Sequence, residues 1–142
     1  MSDAAQVFIE DMREGMTAQL QRTFTREDVE AFARLSGDVN PAHVDAAYAA
    51  ASIFGKPVVH GMLTASLISA LLGTRLPGRG AIYLSQSLQF RAPVFIGDTV
   101  QAEVEITGID TRRKRVTFAC RCMVDGKQVL RGEAIVLAPG RA

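Results

Sequence analysis

The chain of 142 residues has no tryptophan, only two cysteines and only two histidines, and each scarcity removes a class of function. Cys120 and Cys122 stand two apart in a strand-like run. Side chains at that spacing share a face about 6.6 Å apart along the chain, which suits a disulfide poorly. They read as buried free thiols. A structural zinc site needs three or four ligands. With His43 and His60 as the sole imidazoles, and both cysteines far along the chain, no metal is expected. Sixteen basic and fifteen acidic residues give a net charge of +1, with the signs interspersed. Neither nucleic acid nor an anionic membrane has a footprint to meet.

Long apolar runs are also missing, with one exception to test. Pro57 to Thr74 carries no Asp, Glu, Lys or Arg, but His60, Gly61, Thr64, Ser66, Ser69 and Gly73 interrupt it. It is barely long enough to span a bilayer, and it reads as a buried helix of a soluble domain. The N-terminus, MSDAAQVFIEDMREGM, lacks the basic stretch and apolar core of a signal peptide, so a cytoplasmic location is expected. There is no G-x-S-x-G elbow for a Ser-His-Asp hydrolase, and no glycine pattern of Walker or dinucleotide spacing. Repeats, low-complexity tracts and linkers are absent, which predicts a single domain over 1–142, with 1–15 as an N-terminal extension.

The patterns that are present alternate between two periods. Met16 to Phe24 alternates as a half-buried strand does. Thr25 is a helix cap, Glu27 and Asp28 fill the first turn, and Phe24 with Val29 form a hydrophobic staple. Val29, Phe32, Ala33 and Leu35 make the apolar stripe, and Gly37 ends the helix. Asn40-Pro41 opens a short second helix. Met62 to Leu72 is apolar almost all round, which predicts a helix enclosed on every side. After it come strands. Ile82, Leu84, Leu88 and Phe90 are expected to share one face, as are Val100, Ala102, Val104 and Ile106, and then Val116, Phe118, Cys120, Cys122 and Val124. Asp125-Gly126 is a hairpin turn, and Gln128 to Leu137 is the closing strand. The sum is an α+β domain, an antiparallel sheet of about five strands curled around one central buried helix. A single such layer leaves unpaired edges, so a homodimer or higher homo-oligomer is expected.

Chemistry concentrates in SGDVNPAH, Ser36 to His43. One reading makes Asp38 and His43 an acid/base pair converging on a water, with Pro41 stiffening the connection and Asn40 capping the helix that carries the imidazole. The other makes Asp38 a turn former, Asn40 a cap and His43 a surface residue. At His60-Gly61, Gly61 starts the apolar helix, so its N–H has no partner within the helix and lies at the positive end of the dipole. Lacking a Cβ, it lets a ligand oxygen approach, as an oxyanion hole requires. An ordinary helix start explains it equally.

SGDVNPAH, the later FGKPVVHGM and then FRAPVFIGD resemble the MaoC-like hydratases, and more narrowly the bacterial (R)-specific enoyl-CoA hydratases, over about Phe24 to Pro139. The resemblance implies a hot-dog fold, a homodimer, an acyl-CoA thioester substrate and no cofactor. It implies catalytic roles for Asp38 and His43, a Gly61 backbone N–H that receives the thioester oxygen, and a site-lining Ser69. Asn40 has a structural role. Met62, Leu63, Leu67, Leu84 and Leu88 are candidates for the acyl-chain pocket. The implied reaction is syn addition of water to a trans-2-enoyl-CoA giving the (R)-3-hydroxyacyl-CoA, and the reverse. Three alternatives remain: a 3-hydroxyacyl-carrier-protein dehydratase, a hot-dog acyl-CoA thioesterase and a non-catalytic acyl-CoA binder. The thioesterase would want a carboxylate on the apolar helix, and none lies between Gly61 and Gly73.

Overall fold

The computed structural model describes residues 3–141. Five antiparallel strands form one sheet: β1 (Thr17–Thr23), β2 (Ile82–Phe90), β3 (Thr99–Asp110), β4 (Arg115–Val124) and β5 (Lys127–Leu137), in the order β1-β3-β4-β5-β2. Across it lies α4 (Gly61–Thr74), preceded by α1 (Arg26–Ser36), α2 (Pro41–Val44) and α3 (Ala46–Ala51). This is the hot-dog arrangement.

The elements begin and end where local chemistry says they should. Thr25 accepts from the Asp28 N–H while the Asp28 carboxylate accepts from the Thr25 N–H, a complete capping box. That bond, helped by Arg22, holds the Asp28 carboxyl below its usual range. Phe24 and Val29 are buried on either side of the cap, as a staple requires. Gly37 closes α1 in the left-handed region at φ 82°, where a Cβ would be strained.

The core lies between α4 and the inner sheet face. Val100, Val104 and Ile106 on β3 and Val116 and Phe118 on β4 meet Ile68 and Leu71, all fully buried. The N-terminal segment is tied down as well. Ala5, Val7 and Ile9 donate backbone hydrogen bonds to Thr74, Pro77 and Pro139, and Ile9 and Met12 enter the core.

Three expectations need correction. Leu35 is 88% exposed, because only Val29 and Ala33 of that stripe reach the core. The apolar helix is not enclosed on every side: Met62 is 57% exposed, and Ser66 and Ser69 also face outward. The sheet covers one side of a helix, and in a single chain nothing covers this face. Nor do the apolar residues of β2 form a buried inner face. Ile82, Leu84 and Phe90 are exposed and Leu88 is half-buried. β2 is an edge strand, and its pairing with β5 skips Leu84 at a bulge that breaks the alternation.

Cys120 and Cys122 are free and buried, and burial pushes their thiols up to about 11 and about 12. A thiolate is the reactive form. Native protein at pH 8 should therefore give no signal with Ellman's reagent, and denaturant should release both thiols. A prompt native reaction would show that β4 opens in solution.

Candidate active site

The loop between α1 and α2 is assembled from its own side chains. Ser36 Oγ donates to the Phe32 carbonyl (2.7 Å) and accepts from the Asp38 N–H (3.1 Å). Asp38 Oδ1 accepts from the Asn40 N–H (3.3 Å), and Asn40 Oδ1 accepts from the Ala42 N–H (3.0 Å), capping α2. Asn40 thus does the structural work its position suggested. One turn later α2 presents His43, half-buried, whose Nδ1 lies 2.7 Å from the Val58 carbonyl.

A carbonyl oxygen only accepts, so Nδ1 carries the proton. Nε2 is left out of that contact. His60, 2% exposed, makes a similar contact through its other nitrogen, with Nε2 2.9 Å from the Asp38 carbonyl. Its ring stacks on His43, centroids 3.9 Å apart, and tilts against Phe32 at 4.8 Å.

One nitrogen of each imidazole and one Asp38 carboxylate oxygen lie within 4.8 Å of one another, the minimum density of a metal centre. The stacking does not suit one. Two imidazoles bound tetrahedrally to a single zinc place their centroids roughly 5 Å apart, with their lone pairs converging. The His43 and His60 centroids are 3.9 Å apart, closer than that arrangement allows.

These residues open on a cavity of about 580 Å³, whose walls include Asp38, His43, His60, Gly61, Met62 and Thr64. The N-terminus of α4 forms part of the wall. His60 is its N-cap residue and makes no side-chain cap, so the first-turn N–H groups are left for whatever enters. Gly61 is glycine for a reason the sequence does not show. A Cβ there would sit 2.7 Å from Phe90 Cε1, so the Phe90 ring lies directly against the backbone. Thr64, one helical turn on, is 2% exposed, and neither its Oγ1 nor His60 Nδ1 has a hydrogen-bond partner among the described residues.

Of the sequence-derived candidates, Asp38, His43, Gly61 and Met62 share this cavity. Ser69, Leu84 and Leu88 line a neighbouring groove between α4 and β2, which Met62 also borders. Leu63 and Leu67 lie on another face of α4, in a groove under α1. Sequence reasoning assigned nothing to the side chains of His60, Thr64 or Phe90. The available signal was a histidine followed four residues later by a threonine on an otherwise apolar helix.

Residues 8–128 match the model described as MaoC like domain. The chain belongs to that family. It is 53% identical over 134 residues to a protein of Rhodospirillum rubrum named (R)-specific enoyl-CoA hydratase, covering 94% of this chain and 93% of that one. It is 47% identical over 133 residues to a 3-hydroxybutyryl-CoA dehydratase of Methylorubrum extorquens, covering 94% and 85%. Among solved structures, the (R)-hydratase of A. caviae involved in PHA biosynthesis superposes with a TM-score of 0.90 at 47% identity, covering 92% and 99%.

The Gly61–Phe90 contact predicts a coupled pair of substitutions in this MaoC-like domain. Gly61→Ala should destabilise by about 1–3 kcal/mol through overpacking, read as a lower Tm. Adding Phe90→Ala should make the alanine at 61 nearly neutral. Additive losses would mean that the ring does not press on the helix start.

Proposed function

We propose that this protein is an (R)-specific enoyl-CoA hydratase acting on acyl-CoA thioesters as a homodimer. The observation that carries the reading is His43, anchored through Nδ1 to the Val58 carbonyl, beside the Asp38 carboxylate and across from the uncapped start of α4.

A trans-2-enoyl thioester is electrophilic at its β-carbon. With the thioester oxygen on the Gly61 N–H, the helix dipole and that donor favour the negative charge that grows there. A water between Asp38 and His43 loses a proton to one of them as its oxygen bonds to the β-carbon, and the pair returns a proton to the α-carbon of the enolate-like intermediate, which leaves both groups as they began. Both groups act from one wall, so addition is syn, and the relatives' printed (R)-specific activity supports (R)-3-hydroxyacyl-CoA as the product. The thioester supplies the activation, so the chemistry calls for no cofactor. The relatives' printed activities and the extent of the identity support the same substrate class. Against a thioesterase, α4 carries no Asp or Glu. The two open surfaces described above, α4 at Met62, Ser66 and Ser69 and the β2 edge, support dimerisation. Burying them would bring Ser69 and Leu84 under cover beside the cavity.

The test is hydration of crotonyl-CoA, followed by loss of enoyl-thioester absorbance with free thiol monitored in parallel. Signal loss without thiol release, with a product taken only by an (R)-specific dehydrogenase, is expected. Thiol release would mean a thioesterase, and inertness toward enoyl-CoAs with turnover of enoyl-carrier protein would move the substrate to the carrier.

Asp38→Asn and His43→Ala should each lower kcat roughly 10²–10⁴-fold with the fold intact; near-normal rates would remove the residue from the mechanism. In a Phe90→Ala background, which leaves room for the ring, Gly61→Pro deletes the N–H and should abolish turnover. Sedimentation should give twice the chain's 15.3 kDa.

A further inference from the structure

The Asp38 loop is exposed and almost entirely self-contained. Among the described residues, every hydrogen bond of residues 36–40 runs to a position within four along the chain, except one. That exception comes from His60, which is buried at the head of α4. The same imidazole lies face to face with His43 at 3.9 Å. It is also the residue immediately before Gly61. One side chain therefore touches the carboxylate's loop by a hydrogen bond, the base by stacking and the helix start by covalent connection.

We infer that His60 is a positioning residue: donating from Nε2 to the Asp38 carbonyl and stacked on His43, it sets the separation of Asp38 and His43 and their register against the start of α4. This role rests on the hydratase reading for its kinetic consequence, but not for its structural one. A lysine or arginine could donate to the Asp38 carbonyl but would put a charge against His43 and compete for the carboxylate. A phenylalanine would stack but not donate. A glutamine would donate but offer no broad flat face. Imidazole does both, donating from Nε2 while its face lies on His43. His60 is almost wholly buried in the cavity wall and acts through the reacting groups it holds.

The chain's two histidines make the test tractable. Imidazole 15N spectra of the full-length protein should show a hydrogen-bonded proton on Nδ1 of one ring and on Nε2 of the other, with His60→Phe removing the Nε2 signal. In the crotonyl-CoA assay, His60→Gln and His60→Phe, each keeping half of the interaction, should lower kcat roughly tenfold, and His60→Ala about 10²-fold, the scale of a misplaced catalytic group. The loss should fall on kcat more than on KM, since His60 is almost wholly buried in the cavity wall. In His60→Ala, the His43 ring resonances should shift and broaden as the ring loses its stacked partner. Wild-type kcat in His60→Ala, or a loss carried wholly by KM, would overturn the inference. So would a His60 without a proton on Nε2 in the wild type, a measurement that stands even if every variant fails to fold. If the wild-type protein does not hydrate crotonyl-CoA, the hydratase reading fails separately, and the His43 ring resonances in His60→Ala decide the positioning role alone, unchanged signals overturning it.

Discussion

The burial of α4 against the sheet is the constraint from which the rest of the site follows. Ile68, Leu71 and Leu72 are at or near zero exposure, and each contributes on the order of 1.5–3 kcal/mol of transfer free energy. A helix held that firmly cannot slide or roll, so its first turn is fixed in space. The first turn carries His60 and Gly61, and the Phe90 ring closes the only direction in which a side chain at 61 could grow. His60 then reaches back to the Asp38 carbonyl and lies against His43. The polar loop is soft on its own, and it borrows its position from an apolar core that takes no part in the chemistry.

Much of this was legible in the sequence because it is local. The Thr25 cap, the left-handed Gly37, the Asn40 cap and the hairpin at Asp125-Gly126 are decided within a few residues of chain, and the structure reproduces each. So is the alternation of β3 and β4, whose inner faces are buried as read. What failed was long-range. Leu35 has the right helical phase but points past the edge of the core. Ile82 to Phe90 has the right period but sits at an edge with a bulge, and no pattern in one strand reports which neighbour it lacks. The site divides in the same way. Asp38, Asn40 and His43 sit within six positions and could be read together. His60 lies 22 residues from Asp38, and nothing in their spacing says that the two touch.

The two errors about enclosure have one cause. An apolar helix and an apolar strand were expected to be covered, and in the single chain both present an uncovered side next to each other: Met62, Ser66 and Ser69 on α4, Leu84 and Leu88 on β2. Their adjacency matters more than either exposure alone. An edge strand with unpaired backbone groups and an apolar helix face beside it form one continuous surface, the kind that soluble proteins seldom leave open. In the proposed dimer that surface is covered, and the groove it contains becomes an extension of the cavity that Met62 already borders.

Charge movement then argues for why the site is built from a carboxylate, an imidazole and a helix start. In the proposed reaction the negative charge begins on Asp38, at the exposed mouth of the cavity. As water adds, a proton moves onto the Asp38–His43 pair and negative charge appears on the thioester oxygen. That oxygen sits against roughly half a positive charge at the end of α4, together with one backbone donor. The net charge of the cavity is unchanged throughout, and the charge only migrates between two places already arranged to hold it. A second cation near His43 would hold the carboxylate's charge where it started and oppose that migration. In the inferred role, His60 supports the pair mechanically, through one hydrogen bond to the Asp38 carbonyl and one stacked face on His43.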